Sequence, residues 1–244
     1  MQQFGLIGKP LTHSFSKKYF TEKFKKENRA GCAYELFPLE SIEELPSLLE
    51  KNPELKGLNV TIPYKEKVFP FLTANSIPGG VGACNCIKIV NGELKGFNTD
   101  IIGFEKTLFP LLLPTHKAAL VFGNGGAAKA VVYVLQKLGI NYQLVGRTKT
   151  KEVGLTYNDI TEEMIKRHLL LINTTPLGMY PNIETCPAIP YNAIGVGHLL
   201  YDLVYNPAET LFLKNGAMQG AVVKNGEQML IAQAEESWRI WNEQ

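Results

Sequence analysis

The sequence predicts an α/β protein built from two α/β domains. Short apolar runs alternate with helical segments over the first hundred residues, the alternation restarts at residue 118, and a glycine-rich loop follows that restart. Alternation of this kind is typical of mostly parallel sheets with crossover helices. A length of 244 residues allows one large domain or two small ones, and the restart favours two.

The composition excludes several classes of protein. Hydrophobic residues make up 45% and charged residues 20%, which is globular usage rather than that of a disordered chain. The net charge of +2 gives no electrostatic reason to expect a nucleic-acid partner. With no signal-peptide pattern and no run of 18 apolar residues, the sequence predicts a cytoplasmic protein away from membranes. We expect a monomer or a homodimer.

The cysteine pattern predicts no metal site. No Cys-x-x-Cys pair and no histidine cluster occurs. Cys84 and Cys86 alternate along an apolar stretch, so we expect two small buried side chains on one face of a strand.

The first half begins with a strand at 4–7 and a helix that Ser16 can cap, running to about residue 29 with Phe20 and Phe24 one turn apart. The remaining predicted elements of this half are a helix behind a Ser41 capping box to about residue 51, a strand at 58–62, a short helix to residue 72, a strand at 34–37 and a hairpin at 85–97 around Asn91-Gly92.

The second half begins with a helix at 101–113 behind Asp100. The elements predicted after it are strands at 118–122, 143–145, 169–172, 199–203 and 222–223, and helices at 127–138, 161–168, 208–214 and 227–241.

The loop Gly123-Asn124-Gly125-Gly126-Ala127-Ala128 follows a strand and opens a helix. In that context the pattern G-x-G-x-x-A lets backbone N–H groups approach a pyrophosphate at the helix N-terminus. A plain tight turn is the alternative. An NAD site carries an acidic residue at the end of the next strand, about 20 residues after the glycine loop. At that place this chain has Arg147-Thr148. A guanidinium suits a 2′-phosphate, so the sequence favours NADP over NAD, with Lys149 and Lys151 adding positive charge.

Polar residues gather near the ends of the predicted strands of the first half, where ligands bind in α/β sheets. They are Ser14, Ser16, Asn59, Thr61, Lys65, Asn85, Asn98, Thr99 and Asp100. Each alone has an ordinary explanation as a helix cap, a turn residue or a surface lysine. Asn59 and Thr61 lie two apart and are expected to share a strand face.

Taken together, these motifs resemble the shikimate dehydrogenase family over nearly the whole chain. The matching segments are GKPLTHSFS at 8–16, NVTIPYK at 59–65, GACN at 82–85, GFNTD at 96–100, GNGGAA at 123–128, NTTPLGM at 173–179, YDLVYNP at 201–207, and Gly226 with MLIAQA at 229–234.

The resemblance implies reversible reduction of 3-dehydroshikimate to shikimate by NADPH, in chorismate and aromatic amino-acid biosynthesis. It implies a substrate-binding catalytic domain over 1–100 plus 224–244, a Rossmann-like NADP-binding domain over 101–223, and a cleft between them. Lys65 and Asp100 would be the catalytic pair, with no metal involved. The other substrate-binding residues it implies are Ser14, Ser16, Asn59, Thr61, Asn85, Tyr205 and Gln233.

On the cofactor side, the resemblance implies contacts from the glycine loop and from the ends of later strands. These residues are Gly123, Asn124, Gly125, Gly126, Ala127, Ala128, Arg147, Thr148, Thr174, Met179, Val204 and Gly226. The chain departs from the family pattern at Gly146, usually asparagine, and at Cys86, usually threonine, and residues 149–159 look too short for the usual crossover helix.

Two other functions stay open at this point. One is a quinate/shikimate dehydrogenase that uses NAD, which the absence of an acidic residue at 146–148 disfavours. The other is a non-catalytic dinucleotide or metabolite sensor, which the presence of both Lys65 and Asp100 disfavours.

Overall fold

The structure is a computed structural model that describes residues 2–11 and 14–243. The described residues form seven α-helices and twelve strands in two six-stranded sheets, which confirms the predicted α/β class. The chain divides into two compact units. The first unit comprises Met1–Ile102 with Ile231–Gln244, and the second comprises Gly103–Leu230.

The first unit is built on a mixed sheet in the order β2-β1-β3-β5-β6-β4. Its pairs are parallel except for β3–β5 and the β5–β6 hairpin. Its elements are β1 (Gln2–Gly8), α1 (Phe15–Lys26), β2 (Cys32–Pro38), α2 (Leu45–Lys51), β3 (Leu55–Val60), β4 (Ala74–Asn75), β5 (Cys86–Val90) and β6 (Glu93–Phe97), followed by the start of α3 (Thr99–Leu108).

Two apolar layers cover the faces of this sheet. Ile7, Leu58 and Val60 pack on one side. Phe4 packs on the other side with Phe20 of α1 and with Trp238 of the C-terminal helix. This alternation along β1 and β3 follows from the two-residue period of a strand.

The second unit has an all-parallel sheet in the order β12-β11-β10-β7-β8-β9. The central strands β7 and β10 are buried nearly throughout, as a doubly covered parallel sheet requires. Its elements are β7 (Ala118–Phe122), α4 (Gly126–Lys137), β8 (Asn141–Gly146), β9 (Leu155–Thr156), α5 (Glu162–Arg167), β10 (Leu170–Asn173), β11 (Leu199–Asp202), α6 (Leu211–Met218) and β12 (Val222–Lys224), followed by α7 (Glu227–Asn242).

The unit boundaries fall within two helices, between 102 and 103 in α3 and between 230 and 231 in α7. The C-terminal part of α7 belongs to the first unit, where Trp241 donates from Nε1 to the carbonyl of Ile87 at 3.0 Å. Gly57 leaves room for this ring, because a Cβ there would lie 2.3 Å from Trp241 Nε1. None of the described helices is long and apolar enough to cross a membrane.

Several local predictions were wrong. The cap of α1 is Ser14, whose Oγ accepts from the N–H of Lys17 at 3.3 Å, and Ser16 lies inside the first turn. Helix α3 begins at Thr99, so Asp100 stands in its first turn and Asn98 caps it by accepting from Ile101 N at 3.2 Å. The segment predicted as a helix to residue 72 has only a 3₁₀ turn at Phe69–Phe71, and α6 begins at Leu211 rather than at residue 208.

The two neighbouring cysteines are both buried, as predicted, but they do not share a face. Strand β5 begins at Cys86, so Cys84 lies in irregular chain before it. Cys84 belongs to the apolar layer that contains Tyr64 and Val68, whereas Cys86 belongs to the opposite layer, which contains Phe4. Because strand alternation applies only within a strand, the prediction of one face fails here.

Candidate active site

The structure brings together the two residues of the predicted catalytic pair, Lys65 and Asp100, in the first unit. Nζ of Lys65 lies 2.6 Å from Oδ2 of Asp100, and the two side chains are only 18% and 10% exposed. The Lys65 carbonyl accepts from Cys84 N at 2.7 Å, which fixes the loop after β3. Asp100 sits in the first turn of α3, where the helix dipole favours a carboxylate. Shielding from water makes this charged hydrogen bond stronger than an exposed one.

Asn98 holds the start of α3 in place. Its Oδ1 accepts from Ile101 N, and its Nδ2 donates to the carbonyl of Ala83 at 2.7 Å. The turn that carries Asp100 is therefore tied to the segment just before Asn85.

Asn85 and Thr99 form a buried pair beside that turn. Oδ1 of Asn85 accepts from Thr99 N at 2.6 Å, and Nδ2 of Asn85 donates to Thr99 Oγ1 at 3.0 Å. Oγ1 of Thr99 also lies 3.3 Å from Oε1 of Gln233 on α7. These contacts bring Asn85 and Gln233, two predicted substrate-binding residues, to one neighbourhood next to Asp100.

Asn59 of β3 joins the same network. Its Oδ1 accepts from the Tyr34 hydroxyl at 2.9 Å, and its Nδ2 donates to the Asn85 carbonyl at 3.2 Å and to Ser237 Oγ at 2.9 Å. Tyr34 is fully buried, and burial raises the pKa of its phenol above its ordinary value.

Two residues of this network, Tyr34 and Ser237, were not singled out from the sequence. Ser237 lies one helical turn after Gln233, so the i+4 spacing was a signal for it. Tyr34 looks like an ordinary apolar residue of β2, and nothing local distinguishes it.

Three further residues of the first unit were predicted to bind substrate: Ser14 and Ser16 before and in α1, and Thr61 after β3. Ser14 caps α1, and Ser16 lies close enough to the Tyr34 hydroxyl to oppose the rise in the pKa of that phenol. Thr61 follows β3, with its N–H donating to Ile7 O and its carbonyl accepting from Tyr64 N, both at 2.9 Å. Thr12 and His13 of the same motif lie outside the described residues.

The glycine loop of the second unit, residues 123–128, leads from β7 into the first turn of α4, and we call it the glycine cradle. Gly123 has φ of +109° and a Cβ there would lie 2.5 Å from Thr174 Oγ1, so glycine is required. Gly125 caps α4 without a side chain, and a Cβ there would meet nothing within 4 Å. The unpaired N–H groups of the first turn of a helix attract anions. Asn124 is exposed, while Ala127 and Ala128 lie in the first turn of α4.

Strand β10 pairs with β7, which leads into the glycine loop, and β11 pairs with β10 on its other side. Because all three strands are parallel, the loops that follow them lie at the same edge of the sheet. Thr174 donates from Oγ1 to Phe122 O at 2.7 Å, at the end of β7. Gly226 N donates to Val204 O at 3.1 Å, and a Cβ on Gly226 would lie 2.1 Å from Leu203 O. The structure thus brings Val204 and Gly226 together. Met179, which the resemblance implies contacts the cofactor, is 43% exposed and therefore accessible to a ligand.

Asp202 anchors the end of β11. Its carboxylate accepts from Thr210 Oγ1 at 2.6 Å, Asn173 Nδ2 at 2.9 Å and Val204 N at 3.0 Å. Burial raises its pKa to about 6, and these three hydrogen bonds act in the opposite direction. Tyr205, predicted from the resemblance to bind substrate, lies in the second unit, and burial raises the pKa of its phenol.

A tight turn and the short strand β9 follow β8, where the family pattern has a crossover helix. β9 pairs with β8 in parallel, Gly146 opposite Thr156, and a tight turn joins Thr150 N to Val153 O at 3.0 Å. A Cβ on residue 146 would lie 2.9 Å from Val153 Cγ1, which accounts for the glycine.

The basic residues of this segment differ in their surroundings. Arg147 and Thr148 are exposed at the end of β8. Lys149 forms an ion pair with Asp159 at 3.2 Å, so its charge is partly neutralised. The predicted contribution of Lys149 to an anion site is reduced accordingly.

No cluster of three or more histidine, cysteine or acidic side chains that could hold a metal ion occurs among residues 2–11 and 14–243. The centre in the first unit is a lysine–carboxylate pair among amide and hydroxyl groups. Such a set can bind a polyhydroxylated anion and move a proton.

Comparison with known proteins gives one consistent family. The model of the shikimate dehydrogenase substrate binding domain matches residues 6–87. The chain is 40% identical over 256 residues to a shikimate dehydrogenase (NADP(+)) of Clostridium beijerinckii, covering 100% of this chain and 93% of that protein.

Solved structures extend the similarity to the whole fold. Shikimate 5-dehydrogenase of Thermus thermophilus, in complex with NADP(H) and shikimate, is 30% identical with a TM-score of 0.85, over 99% of this chain and 94% of that one. Quinate dehydrogenase of Corynebacterium glutamicum, in complex with NAD, is 26% identical with a TM-score of 0.85, over 99% and 93%.

Proposed function

We propose that this chain, which belongs to the shikimate dehydrogenase family, catalyses the reversible reduction of 3-dehydroshikimate to shikimate by NADPH, a step of chorismate biosynthesis. The observation that carries the proposal is the shielded Lys65–Asp100 pair, with 2.6 Å between Nζ and Oδ2. Similarity along the full length of the chain supports the same conclusion.

The residues of the second unit fit a dinucleotide. The cradle at Gly123 and Gly125 would present backbone N–H groups to a pyrophosphate, and a side chain at Gly123 would displace the loop because its Cβ would clash with Thr174. Asn124, Gly126, Ala127 and Ala128 would complete that cradle. Thr174, Met179, Val204 and Gly226 would hold the ribose and nicotinamide.

Arg147 and Thr148 support the choice of NADP. They are exposed at the carboxyl end of β8, where the 2′-substituent of the adenosine ribose is recognised in dinucleotide folds. A guanidinium there would pair with the 2′-phosphate of NADP, a group that NAD lacks.

The chemistry needs one hydride and one proton. The reduced nicotinamide, when bound, supplies the hydride to the ketone carbon. As the carbonyl oxygen gains negative charge, the Lys65 ammonium stabilises it and donates the proton that makes the hydroxyl. Asp100 holds the ammonium in place and accepts a hydrogen bond from a substrate hydroxyl.

The carboxylate and hydroxyl groups of the substrate need donors and acceptors. Ser14, Ser16 and Tyr205 would bind the carboxylate through their hydroxyl groups. Thr61, Asn85 and Gln233 would bind the ring hydroxyls, supported by the burial of Asn85 and Gln233 around Thr99.

An absorbance assay at the reduced-nicotinamide band tests the proposal. The purified chain is given shikimate or quinate with NADP⁺ or NAD⁺ in four separate reactions. We expect the highest kcat/KM for shikimate with NADP⁺. Preference for quinate with NAD⁺ would instead support a catabolic dehydrogenase. Absence of turnover in all four reactions, together with binding of NADP⁺ in a calorimetric titration, would support a sensor.

A further inference from the structure

Ser237 occupies a central position in the buried network of the first unit. Its side chain is fully buried in α7, one turn after Gln233. Its Oγ accepts from Asn59 Nδ2 at 2.9 Å, donates to the Gln233 carbonyl at 3.0 Å and lies 3.3 Å from Thr99 Oγ1. One hydroxyl on α7 therefore contacts β3, α3 and its own helix.

The hydrogen bonds of Asn59 show what Ser237 holds. An asparagine amide has two N–H groups and one acceptor oxygen. Both kinds of group are in use: Nδ2 donates to Asn85 O and Ser237 Oγ, and Oδ1 accepts from Tyr34. Asn59 is only 4% exposed. Its donors are committed to protein atoms, which favours a role in holding Asn85 over direct contact with substrate.

The same network reaches the catalytic pair through Thr99. Thr99 immediately precedes Asp100. Its hydroxyl accepts a hydrogen bond from Asn85 Nδ2, and its N–H donates to Asn85 Oδ1. Ser237 and Gln233 face the same hydroxyl from α7. If Ser237 moved, Asn85 would be affected through its contact with Asn59, and the first turn of α3 would be affected through Thr99.

We propose that Ser237 is a positioning residue for the reaction, which acts through Asn59 and Thr99 to fix Asn85 and Asp100 toward the substrate. Asn59 is then an intermediate of this positioning rather than a substrate ligand. The inference rests on the proposed function, because it concerns how that site binds shikimate.

The expected consequence of Ser237→Ala is a change specific to shikimate. The substitution leaves one buried N–H of Asn59 without an acceptor, so the amide shifts to find one. Because small misplacements of binding groups reduce turnover sharply, we expect kcat/KM for shikimate to fall about tenfold or more. The KM for NADP⁺ should not change, because the residues proposed to hold the cofactor belong to the second unit.

A matched control separates positioning from stability. Tyr201→Phe removes another buried hydroxyl, which lies 2.6 Å from Thr107 Oγ1 in the second unit. We expect it to lower the thermal midpoint without changing the KM for shikimate. Steady-state kinetics with each substrate varied, and thermal unfolding, are measured on wild type and both variants.

The outcomes are distinct. A Ser237→Ala enzyme that loses thermal stability as Tyr201→Phe does but keeps the wild-type KM and kcat for shikimate overturns the inference. If Ser237→Ala does not fold, Ser237→Cys decides by the same criterion, since a thiol fills the space but accepts hydrogen bonds weakly. That variant is kept reduced because Cys86 lies beside residue 237. An inactive wild type overturns the proposed function and this inference with it, whereas an active wild type with an unaffected variant overturns the inference alone.

Discussion

The ammonium of Lys65 and the carboxylate of Asp100 form a hydrogen-bonded ion pair at 2.6 Å in a setting largely shielded from water. The two residues come from different parts of the first unit, a loop after β3 and the first turn of α3. Their alignment depends on Asn98, which caps α3, and on Thr99, which is held by Asn85. The site is thus a fixed charge pair supported by neutral amides.

Replacement of Lys65 tests the proton donor. Lys65→Ala removes the ammonium, so we expect kcat to fall by roughly 10²–10⁴. The matched control is Lys67→Ala, an exposed lysine two residues on, which should keep wild-type kcat. Steady-state rates with saturating shikimate and NADP⁺ measure both, and wild-type turnover in Lys65→Ala would remove Lys65 from the mechanism.

Replacement of Asp100 tests the group that holds the ammonium. Asp100→Ala should also lower kcat by roughly 10²–10⁴, because Lys65 loses its orienting partner. The control is Glu105→Gln. Glu105 lies on α3, as Asp100 does, and pairs with Lys137 of α4, so the substitution breaks an ion pair but should leave kcat unchanged. If kcat of Asp100→Ala equalled that of Glu105→Gln, Asp100 would have no role in holding the Lys65 ammonium for the reaction.

The glycine cradle makes a prediction about cofactor affinity. Gly123→Ala would place a Cβ 2.5 Å from Thr174 Oγ1, so the loop must move, and we expect weaker NADP⁺ binding. Gly139→Ala is the control, because Gly139 also has positive φ but a Cβ there meets nothing within 4 Å. Calorimetric titration with NADP⁺ should show weakened binding for Gly123→Ala alone, and unchanged affinity would contradict the cradle.

Arg147 makes a separate prediction about the 2′-phosphate. Arg147→Ala should raise the KM for NADP⁺ about tenfold to a hundredfold, the value of one or two charged hydrogen bonds, while the KM for NAD⁺ stays unchanged. Arg167→Ala, an exposed arginine paired with Glu163, controls for lost surface charge. A parallel rise in both KM values would show that Arg147 does not recognise the 2′-phosphate.

Asp202 gives a pH-dependent stability. Its pKa is about 6 in the folded chain, against an ordinary value of 3.8, so the folded state retains a proton that the unfolded chain loses between these pH values. Its contribution to stability is complete below pH 3.8, falls as pH rises toward 6 and is constant above. The free energy of unfolding of wild type minus that of Asp202→Asn should fall by about 3 kcal/mol over this range. Urea unfolding at several pH values measures it, and a difference that rises with pH would contradict the assignment.

Features with strong local causes could be predicted from the sequence. The hairpin around Asn91-Gly92 forms because both residues adopt positive φ, at +52° and +82°. The glycine loop was predictable because a strand, three glycines and a helix occur in a fixed order. The serine cap of α1 was misplaced because Ser14 and Ser16 are equally good caps, and only the position of the first turn decides between them.

Features that depend on contacts distant in sequence could not be predicted. Ser237 meets Asn59 across 178 residues, and Tyr34 meets the same amide from another strand. Cys84 and Cys86 separate onto different layers because the chain enters β5 only at Cys86. The pairing of Lys149 with Asp159 depends on how the short segment after β8 folds back, which no local pattern indicates.

The most direct test of the account follows the hydride itself. The wild-type enzyme is incubated with 3-dehydroshikimate and NADPH in which both hydrogens at C4 of the nicotinamide are deuterium, and the product is analysed by mass spectrometry. The account predicts shikimate that contains one deuterium, formed in equal amount to the NADP⁺ produced. Loss of NADPH without labelled shikimate, or no reaction at all, would contradict it.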